Sequence, residues 1–276
     1  MSATPKPKNL ILQLLLVERD GDLSARDAVR ACGLFGIAET TVRVTLVRLA
    51  AAGLIEGAAR GTYRLGPAAT GLAADVARWR EAGDRLRPWQ GGWIAVHCGA
   101  LGRSDRPALR VRQRALDLLG FRELDKGLFL RPDNVAGGVE GVRDRLHALG
   151  LEAEALVFAA SGFDRARETA ARALWDGAAL NAGYEERHAL GRWLDHADEL
   201  APEVAARDAF LIGGRAIRRI VFDPLLPDPL IDAGAREAYF AAVRYFDSAG
   251  HRIWQRLFAA QQHIREERNV HQLPAE

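Results

Sequence analysis

The residues best suited to a chemical role lie in one short run between Gly36 and Gly66. At 100° per residue, a helix centred on Val42 places Thr45, Leu46 and Leu49 on the same buried face. The opposite face is expected to carry small and β-branched side chains with an arginine on each flank: Thr40, Val44, Val47, Ala51, Arg43 and Arg48. Threonine and valine methyls can contact thymine methyls in the major groove, while arginines reach guanine edges or phosphates. The pattern therefore predicts a DNA-reading helix.

A β-hairpin is predicted directly after this helix. Leu54–Glu56 and Thr62–Leu65 have the pattern of two short strands, joined by a glycine-bearing turn with Arg60 at its tip. Such a hairpin would rest on phosphates or in a minor groove. The predicted DNA-contacting residues are Thr40, Thr41, Arg43, Val44, Arg48, Arg60, Tyr63 and Arg64. An ordinary amphipathic helix and hairpin without a nucleic-acid partner would have the same local pattern.

The preceding residues predict the elements that position this helix. Asn9–Glu18 is apolar nearly all round, as expected for a helix buried against two others. Ser24 and Asp27 have the spacing of a capping box at the start of a second helix that runs to Gly33. Helix, helix, glycine-bearing turn, helix and hairpin is the order of a winged helix-turn-helix domain, which we assign to residues 1–66.

Bulk composition narrows the class of protein. A length of 276 residues fits two or three domains, and 49% hydrophobic with 27% charged residues is typical of soluble globular proteins. No apolar run approaches the roughly 20 residues of a membrane span. Cys32 and Cys98 lie far apart, which suits a reducing cytosol. We therefore expect a cytoplasmic protein without a membrane segment, metal or cofactor.

Charge is spread unevenly along the chain. The formal net charge is +2, but residues 1–66 hold nine lysines and arginines against six acidic residues. The basic excess thus falls on the segment predicted to contact DNA. This distribution predicts salt-sensitive DNA binding.

A second folded domain is predicted at residues 91–162, after a linker helix at residues 67–90. Its expected strands and helices are Trp93–Cys98, Pro107–Leu119, Phe121–Leu124, Gly127–Leu130, Val139–Leu149 and Ala155–Ala160. Their order, βαββαβ, predicts a ferredoxin-like sandwich. Because regulators that read palindromic operators are usually dimers, we place a homodimer contact here. Some small metal-dependent nucleases share this sandwich, but His97-Cys98-Gly99 replaces their aspartate and suits magnesium poorly.

Residues 163–276 are predicted to form a helical C-terminal domain, so the whole chain is expected to be α+β. The predicted helices are Phe163–Trp175, Leu180–Asp195, Val204–Phe222 and Gly234–Phe258. Their aromatic residues, among them Tyr245, supply a core and could also line an aryl pocket. His188 and His196 lie eight residues apart, which is not a helical metal-ligand spacing, and we interpret them as surface residues.

Several motifs resemble the PaaX family of bacterial transcriptional repressors, which control phenylacetate breakdown and related pathways. The likeness covers nearly the whole chain and lies in GIAETTVRVTLVRLAAAGLI, GTYRLG, RPWQGGWIAV, GLFLRPDN, LWDGAALNAGY and RAIRRIVFDPLLPDPLI. The FDPLLP run is the most specific of these. Two positions depart from the family pattern: Ala38 stands where a helix-capping serine is favoured, and residues 231–234 replace a tryptophan-containing turn.

The resemblance implies a homodimeric repressor that binds double-stranded operator DNA. It also implies release from the operator by an aryl-CoA thioester such as phenylacetyl-CoA. The candidate residues for the CoA phosphates are Arg103, Arg106, Arg110 and Arg114. The alternative interpretation, which is the commoner one for such a cluster, is a solvated basic face that is paired to local acids.

Two other functions are compatible with the sequence. One is an enzyme that acts on a CoA thioester or on nucleic acid, with the winged helix as a targeting module. However, the chain has no Gly-x-Ser-x-Gly elbow, phosphate-binding Gly-x-x-x-x-Gly-Lys run, metal-ligand spacing or Rossmann fingerprint, so no catalytic residue is assigned. The other alternative is an architectural DNA binder that responds to no effector.

Overall fold

The computed structural model describes residues 5–17, 22–59, 61–69, 78–99, 101–102 and 104–270, and has an α+β fold with two antiparallel sheets. The helices are α1 (Pro7–Val17), α2 (Ala25–Gly33), α3 (Glu39–Ala51), α4 (Arg106–Leu118), α5 (Gly138–Ala148), α6 (Arg165–Arg172), α7 (Gly177–Tyr184), α8 (Arg187–Asp195), α9 (Pro202–Val221) and α10 (Ala233–Val270). The strands are β1 (Leu23–Ser24), β2 (Ile55–Ala59), β3 (Thr62–Leu65), β4 (Trp93–His97), β5 (Arg122–Asp125), β6 (Leu128–Pro132) and β7 (Leu156–Ala160).

Contacts divide the chain into two compact units that are not continuous in sequence. The first unit comprises Met1–Arg78, Arg192–Gly214 and Tyr245–Glu276, and the second comprises Trp79–Gly191 and Arg215–Arg244. Both α9 and α10 therefore contribute residues to each unit. The three consecutive domains and the linker inferred from the sequence stay a prediction, and the segment after residue 163 is shared between these two units.

The first unit is built around the first three helices and a small sheet. Its strands have the order β1-β3-β2, and both pairs are antiparallel. The core combines Leu10, Ile11, Leu14 and Leu15 of α1 with the inner residues of α2 and α3 and with the C-terminal residues Ile253, Trp254, Leu257 and Phe258. Phe35, in the turn before α3, contacts Phe210 edge to face at 5.3 Å between ring centroids. Distant parts of the chain thus share one core.

The second unit contains a four-stranded sheet of order β5-β6-β4-β7 with antiparallel neighbours. Strand β4 lies inside the sheet, and its first four residues, Trp93–Val96, are buried on both faces. On one face, Ile94 and Val96 belong to a core with residues of α4 and α5. On the other, Trp93 stacks on Trp175 of the loop before α7 and donates a hydrogen bond to Glu168 of α6. Both faces of the sheet are therefore covered at β4, one by α4 and α5 and the other by α6 and the loop before α7.

Several predicted elements differ from the observed ones. Strand β2 extends to Ala59, so the predicted hairpin turn is shorter, and the two-residue strand β1 was not predicted. The helix predicted at Leu180–Asp195 is two helices, and α10 continues past its predicted end to Val270. Residues 70–77 of the predicted linker helix at 67–90 lie outside the described residues, and its described part contains the short 3-10 turns Pro67–Ala69, Arg78–Glu81 and Gly83–Arg85 instead of an α-helix. Tyr245, predicted in the core, is 65% exposed, because its side chain points outward from α10.

A buried polar network lies in the FDPLLP segment of the second unit. The Asp223 carboxylate accepts hydrogen bonds from the Tyr184 hydroxyl at 2.8 Å and from the Leu225 amide at 2.8 Å. The Leu225 carbonyl accepts one from the Asn134 side chain at 2.7 Å. Burial raises the pKa of Asp223, and the hydrogen bonds from Leu225 and Tyr184 oppose that rise. The network therefore links the loop after β6 to α7 and to the end of α9.

Replacement of Tyr184 by Phe is predicted to destabilise the protein by about 1–3 kcal/mol, because one oxygen of the buried Asp223 carboxylate loses its donor. This loss of folding stability should increase as the pH rises. The folded-state pKa of Asp223 is raised, so its contribution to stability falls as pH rises from about 4 through the folded-state pKa, and loss of the donor raises that pKa further. Denaturant unfolding at several pH values between about 4.5 and 8 measures both effects.

Tyr245→Phe is the matched control, because the Tyr245 ring is exposed. This substitution should alter the free energy of unfolding by no more than about 0.5 kcal/mol at every pH. Equal losses for Tyr184→Phe across the pH range would contradict the assigned role of Asp223.

Candidate nucleic-acid interface

Helix α3 has one buried face and one exposed face, as its sequence period predicts. Val42, Leu46 and Leu49 are fully buried. On the outer side, Val44 is 49% and Val47 is 68% exposed. The polar residues Thr40, Thr41, Arg43 and Arg48 are exposed as well. The predicted α3 site residues therefore lie together on a surface of branched side chains with an arginine on each flank.

The arginine nearest the start of α3 is paired with an acid. Arg43 donates from Nε at 2.7 Å and from Nη2 at 2.6 Å to the same carboxylate oxygen of Glu39, one helical turn earlier. Both side chains are more than half exposed, so the pair is worth about 0–1 kcal/mol of stability. Arg48 has no ion pair among the described residues. The two flanking arginines thus differ in their electrostatic surroundings.

The hairpin places its predicted residues less uniformly. Arg64 is exposed and pairs across the strands with Glu56 at 2.7 Å. Tyr63 is half-buried, because its ring packs against the core of the first unit. Arg60, predicted at the turn, lies outside the described residues. Arg64 therefore lies on the surface, whereas much of the Tyr63 side chain is buried in packing contacts.

A groove of about 450 Å³ joins the start of α2, the start of α3 and the hairpin turn. It is lined by Ser24, Ala25, Arg26, Val29, Glu39, Arg43 and Gly61. Arg26 is exposed and was not assigned to the site from the sequence. Its position in the first turn of α2, two residues after the Ser24 cap, is the signal that could have indicated it. The N-terminal end of α2 and Arg26 favour an anion at this position, whereas the Glu39 carboxylate, which is paired with Arg43, opposes one.

Short contacts hold the hairpin against the helices. The Gly61 carbonyl accepts a hydrogen bond from the Ala25 amide at 2.9 Å, which ties the turn to the start of α2. At the other end, the Gly66 amide donates to the Leu54 carbonyl at 3.0 Å. A Cβ at Gly66 would lie 2.3 Å from the Gly53 carbonyl oxygen, so only glycine allows this approach. The hairpin is therefore held in place relative to the end of α3.

The predicted effector arginines do not line a described cavity. Arg106, Arg110 and Arg114 are exposed, and their four-residue spacing places them on the outer side of α4. Arg103 lies outside the described residues. A cavity of about 700 Å³ lies along another side of the same helix, where it meets β5 and β6, and its lining includes Cys98, Leu109, Arg112, Gln113, Glu123 and Phe129.

Arg112, which is not among the four predicted effector residues, is the arginine that lines this cavity. It is 6% exposed and forms a two-pronged pair with Glu152, with Nε 3.0 Å from Oε2 and Nη2 in contact with Oε1. The hydrogen bond from Arg112 lowers the pKa of Glu152, while burial raises the pKa of the neighbouring Cys98 thiol. Helical periodicity would have placed Arg112 on the inner face of α4, beside Ala115 and Leu116.

Sequence models of known protein families match two segments of the chain, one in each half. The sequence model of the PaaX-like protein family matches residues 6–69, which include α1 to α3 and the hairpin. The model of the PaaX-like protein C-terminal domain matches residues 175–256.

The chain belongs to the PaaX family. PaaX proteins are transcription regulators, and the family assignment points to a regulator of phenylacetate catabolism. The resemblance inferred from the sequence motifs is thereby confirmed.

A solved structure that is similar to this chain matches it over nearly its whole length. The uncharacterized protein Rv0674 from Mycobacterium tuberculosis is 26% identical, with a TM-score of 0.58. The match covers 90% of this chain and 98% of that one. No curated protein matches the chain. Among the described helices, none is long and apolar enough to cross a membrane.

The first residues of α3 show the effect of the Ala38 departure from the PaaX pattern. Ala38 has the extended backbone of an N-cap, with φ −64° and ψ 143°, but supplies no side-chain hydrogen bond. By contrast, the Ser24 hydroxyl at the start of α2 accepts a hydrogen bond from the Asp27 amide at 3.0 Å. Two helices of one unit thus have different N-terminal caps.

Ala38→Ser is predicted to stabilise the protein by about 1 kcal/mol, because a hydroxyl at this backbone geometry accepts from an amide in the first turn of α3. Ser24→Ala should cost a similar amount at α2. Denaturant unfolding measures both changes. Ala52→Ser, an exposed substitution at the C-terminal end of α3, is the control and should change stability by less than about 0.5 kcal/mol. An Ala38→Ser variant no more stable than the control would contradict this account of the cap.

Proposed function

We propose that this chain is a PaaX-like transcriptional repressor that binds double-stranded operator DNA through α3 and the following hairpin. The observation that carries the proposal is the outer face of α3. Val44 and Val47 are exposed at its centre, and Arg43 and Arg48 flank them. Exposed valines are unfavourable in water but suit thymine methyls in the major groove, where arginines reach guanines or phosphates. This face lies in the segment that matches the PaaX-like family.

The first unit is proposed to be a winged helix-turn-helix domain. The order of α2, a turn, α3 and the β2–β3 hairpin supports this interpretation, as does the short strand β1 beside the hairpin. In this arrangement Thr40, Thr41, Arg43, Val44 and Arg48 contact the major groove, and Arg60, Tyr63 and Arg64 contact the backbone. Arg26 joins this set as a phosphate contact, because it lines the groove beside Arg43.

The middle of the chain is proposed to be a ferredoxin-like domain that forms a homodimer. The strand order β5-β6-β4-β7 and the βαββαβ sequence of elements support the fold assignment. Strand β7 is at the edge of the sheet, and Leu156 and Phe158 on it are 62% and 41% exposed. An exposed apolar edge strand is a ready partner for an identical strand related by a twofold axis. A dimer would also match the twofold symmetry of a palindromic operator.

An aryl-CoA thioester such as phenylacetyl-CoA is proposed to release the repressor. Family membership supports this effector class. Arg103, Arg106, Arg110 and Arg114 remain the proposed contacts for the CoA phosphates, and the apolar residues Leu109 and Phe129 of the neighbouring cavity suit an aryl group. Release requires that the thioester bind the DNA-free state more tightly than the DNA-bound state. We further propose a cytoplasmic location and no enzymatic activity, in keeping with a family of transcription regulators.

The full chain is predicted to shift a duplex taken from upstream of its own gene in a mobility assay, and phenylacetyl-CoA should abolish the shift. Arg48→Ala should weaken this binding by about 1–3 kcal/mol, or about 5- to 150-fold, if Arg48 contacts a base. Two salt concentrations separate specific binding from binding to phosphates alone.

The matched control for this assay is Arg192→Ala, which removes the same charge from an exposed residue of the first unit outside α3 and the hairpin. It should leave the affinity within about twofold. If the protein shifts the duplex but the thioester does not abolish the shift, the proposed regulator function stands and an aryl-CoA thioester is not its effector. Absence of specific binding at both salt concentrations would reject the regulator and favour the enzyme alternative, which turnover of acyl-CoAs would then test.

Phe158→Glu is predicted to convert the dimer to monomers, because it buries a carboxylate in the proposed β7 contact without a partner. Sedimentation velocity measures the change. Val111→Glu is the control, since Val111 of α4 is exposed to a similar extent, 44%, and lies outside the proposed contact. Monomers in both variants, or dimers in both, would contradict a contact through β7.

A further inference from the structure

The ion pair between Glu39 and Arg43 places a carboxylate on the helix that is proposed to read DNA. Glu39 is the first residue of α3, and both side chains line the groove that faces the hairpin turn. DNA phosphates and most base edges present acceptors, which repel a carboxylate. The pair contributes little to stability because it is exposed. An acid in the first turn of a helix also interacts favourably with the helix dipole, so Glu39 has a modest stabilising role in addition to its position on the helix proposed to read DNA.

The geometry of the pair leaves half of each side chain available. Nε and Nη2 of Arg43 both donate to Oε1 of Glu39. Among the described residues, Oε2 of Glu39 and Nη1 of Arg43 have no hydrogen-bond partner. The contact therefore holds the two side chains side by side, with one acceptor and one donor group free. Such a pair offers complementary groups to two neighbouring base edges.

The major groove contains a matching arrangement. Cytosine presents the N4 amino group as a donor, which suits a glutamate, and guanine presents O6 and N7 as acceptors, which suit an arginine. Adenine also presents an amino group, but its neighbouring N7 is an acceptor that a carboxylate cannot satisfy. Thymine presents only an acceptor and a methyl group. A carboxylate on the reading helix thus selects cytosine and disfavours the other bases.

We propose that Glu39 is a specificity-determining residue, which requires a cytosine in each operator half-site while Arg43 contacts a neighbouring guanine. This inference rests on the proposed DNA-binding function. On this proposal, Glu39 lowers the affinity for DNA of any sequence. It also raises the discrimination between cytosine and the other bases, because a wrong base leaves the carboxylate without a donor. The Glu56–Arg64 pair of the hairpin has the same charges but belongs to the proposed backbone contact, so it lowers affinity without selecting a base.

The test is selection of bound duplexes from a random-sequence pool by the full chain, followed by sequencing. The wild-type protein should select cytosine at one position of each half-site, by about 5- to 150-fold over the other bases. Glu39→Gln should change the preferred base at that position from cytosine to adenine, because a glutamine amide pairs with N6 and N7 of adenine. It should also bind non-selected DNA more tightly than the wild type does.

Glu56→Gln is the matched control, because it removes one acid from an equally short surface pair of the same unit, also 2.7 Å. It should raise affinity for all sequences and leave the selected bases unchanged. Arg43→Lys provides a second variant, which keeps the charge but loses the planar fork and should lose the neighbouring guanine preference. Thermal unfolding should match the wild type for Glu56→Gln and Arg43→Lys, and Glu39→Gln should unfold only slightly earlier, because it removes an acid from the first turn of α3.

The outcomes are distinguishable. If Glu39→Gln selects the same bases as the wild type, the inference is overturned and the proposed repressor function stands. If Glu56→Gln changes the same base preference, the effect is general electrostatics and the inference is again overturned. If the wild type selects no sequence, the proposed function fails and the inference fails with it.

Discussion

The burial of one face of α3 is the constraint on which the candidate site depends. Val42, Leu46 and Leu49 insert into a core that includes residues of α1 and α2 and residues 253–258 of α10. Because a helix turns through 100° per residue, burying this face fixes which side chains are exposed. Val44, Val47, Arg43 and Arg48 are outward for that reason. The candidate interface is therefore a consequence of packing, and any repacking that rotated α3 would change the surface that this helix exposes.

Electrostatics on this surface are balanced rather than simply basic. Arg43 and Arg64 each contact a glutamate, whereas Arg48 and Arg26 have no acidic partner among the described residues. Exposed pairs of this kind are weak and exchange readily for other charges. A protein with this distribution would bind DNA less tightly than its arginines alone suggest, and would depend more on correct base contacts. This is consistent with a regulator that must distinguish an operator from a large excess of other sequences.

The second unit uses buried polar groups differently. Arg131 is fully buried and donates to the Leu119 and Pro132 carbonyls and to Asn134, and burial lowers its pKa to about 10. Asn134 in turn contacts the Leu225 carbonyl, beside the Asp223–Tyr184 hydrogen bond. Because each buried group needs its particular partner, the FDPLLP loop has one favourable position against β6 and α7. The most specific motif in the sequence thus corresponds to a structural network rather than to a surface.

The sequence by itself determined the α+β class, most element positions, the two faces of α3 and the family, because periodicity and capping are local properties. It also indicated Ser24 as a helix cap, which the structure confirms. Only the tertiary structure decided that residues from three parts of the chain share the first core, that Arg26 lies beside Arg43, and that Arg112 rather than Arg110 lines the cavity. It also decided that Tyr63 is half-buried and that Glu39 holds Arg43. These features depend on contacts between segments distant in sequence, or on which of several side-chain pairings forms, and a one-dimensional pattern does not specify either.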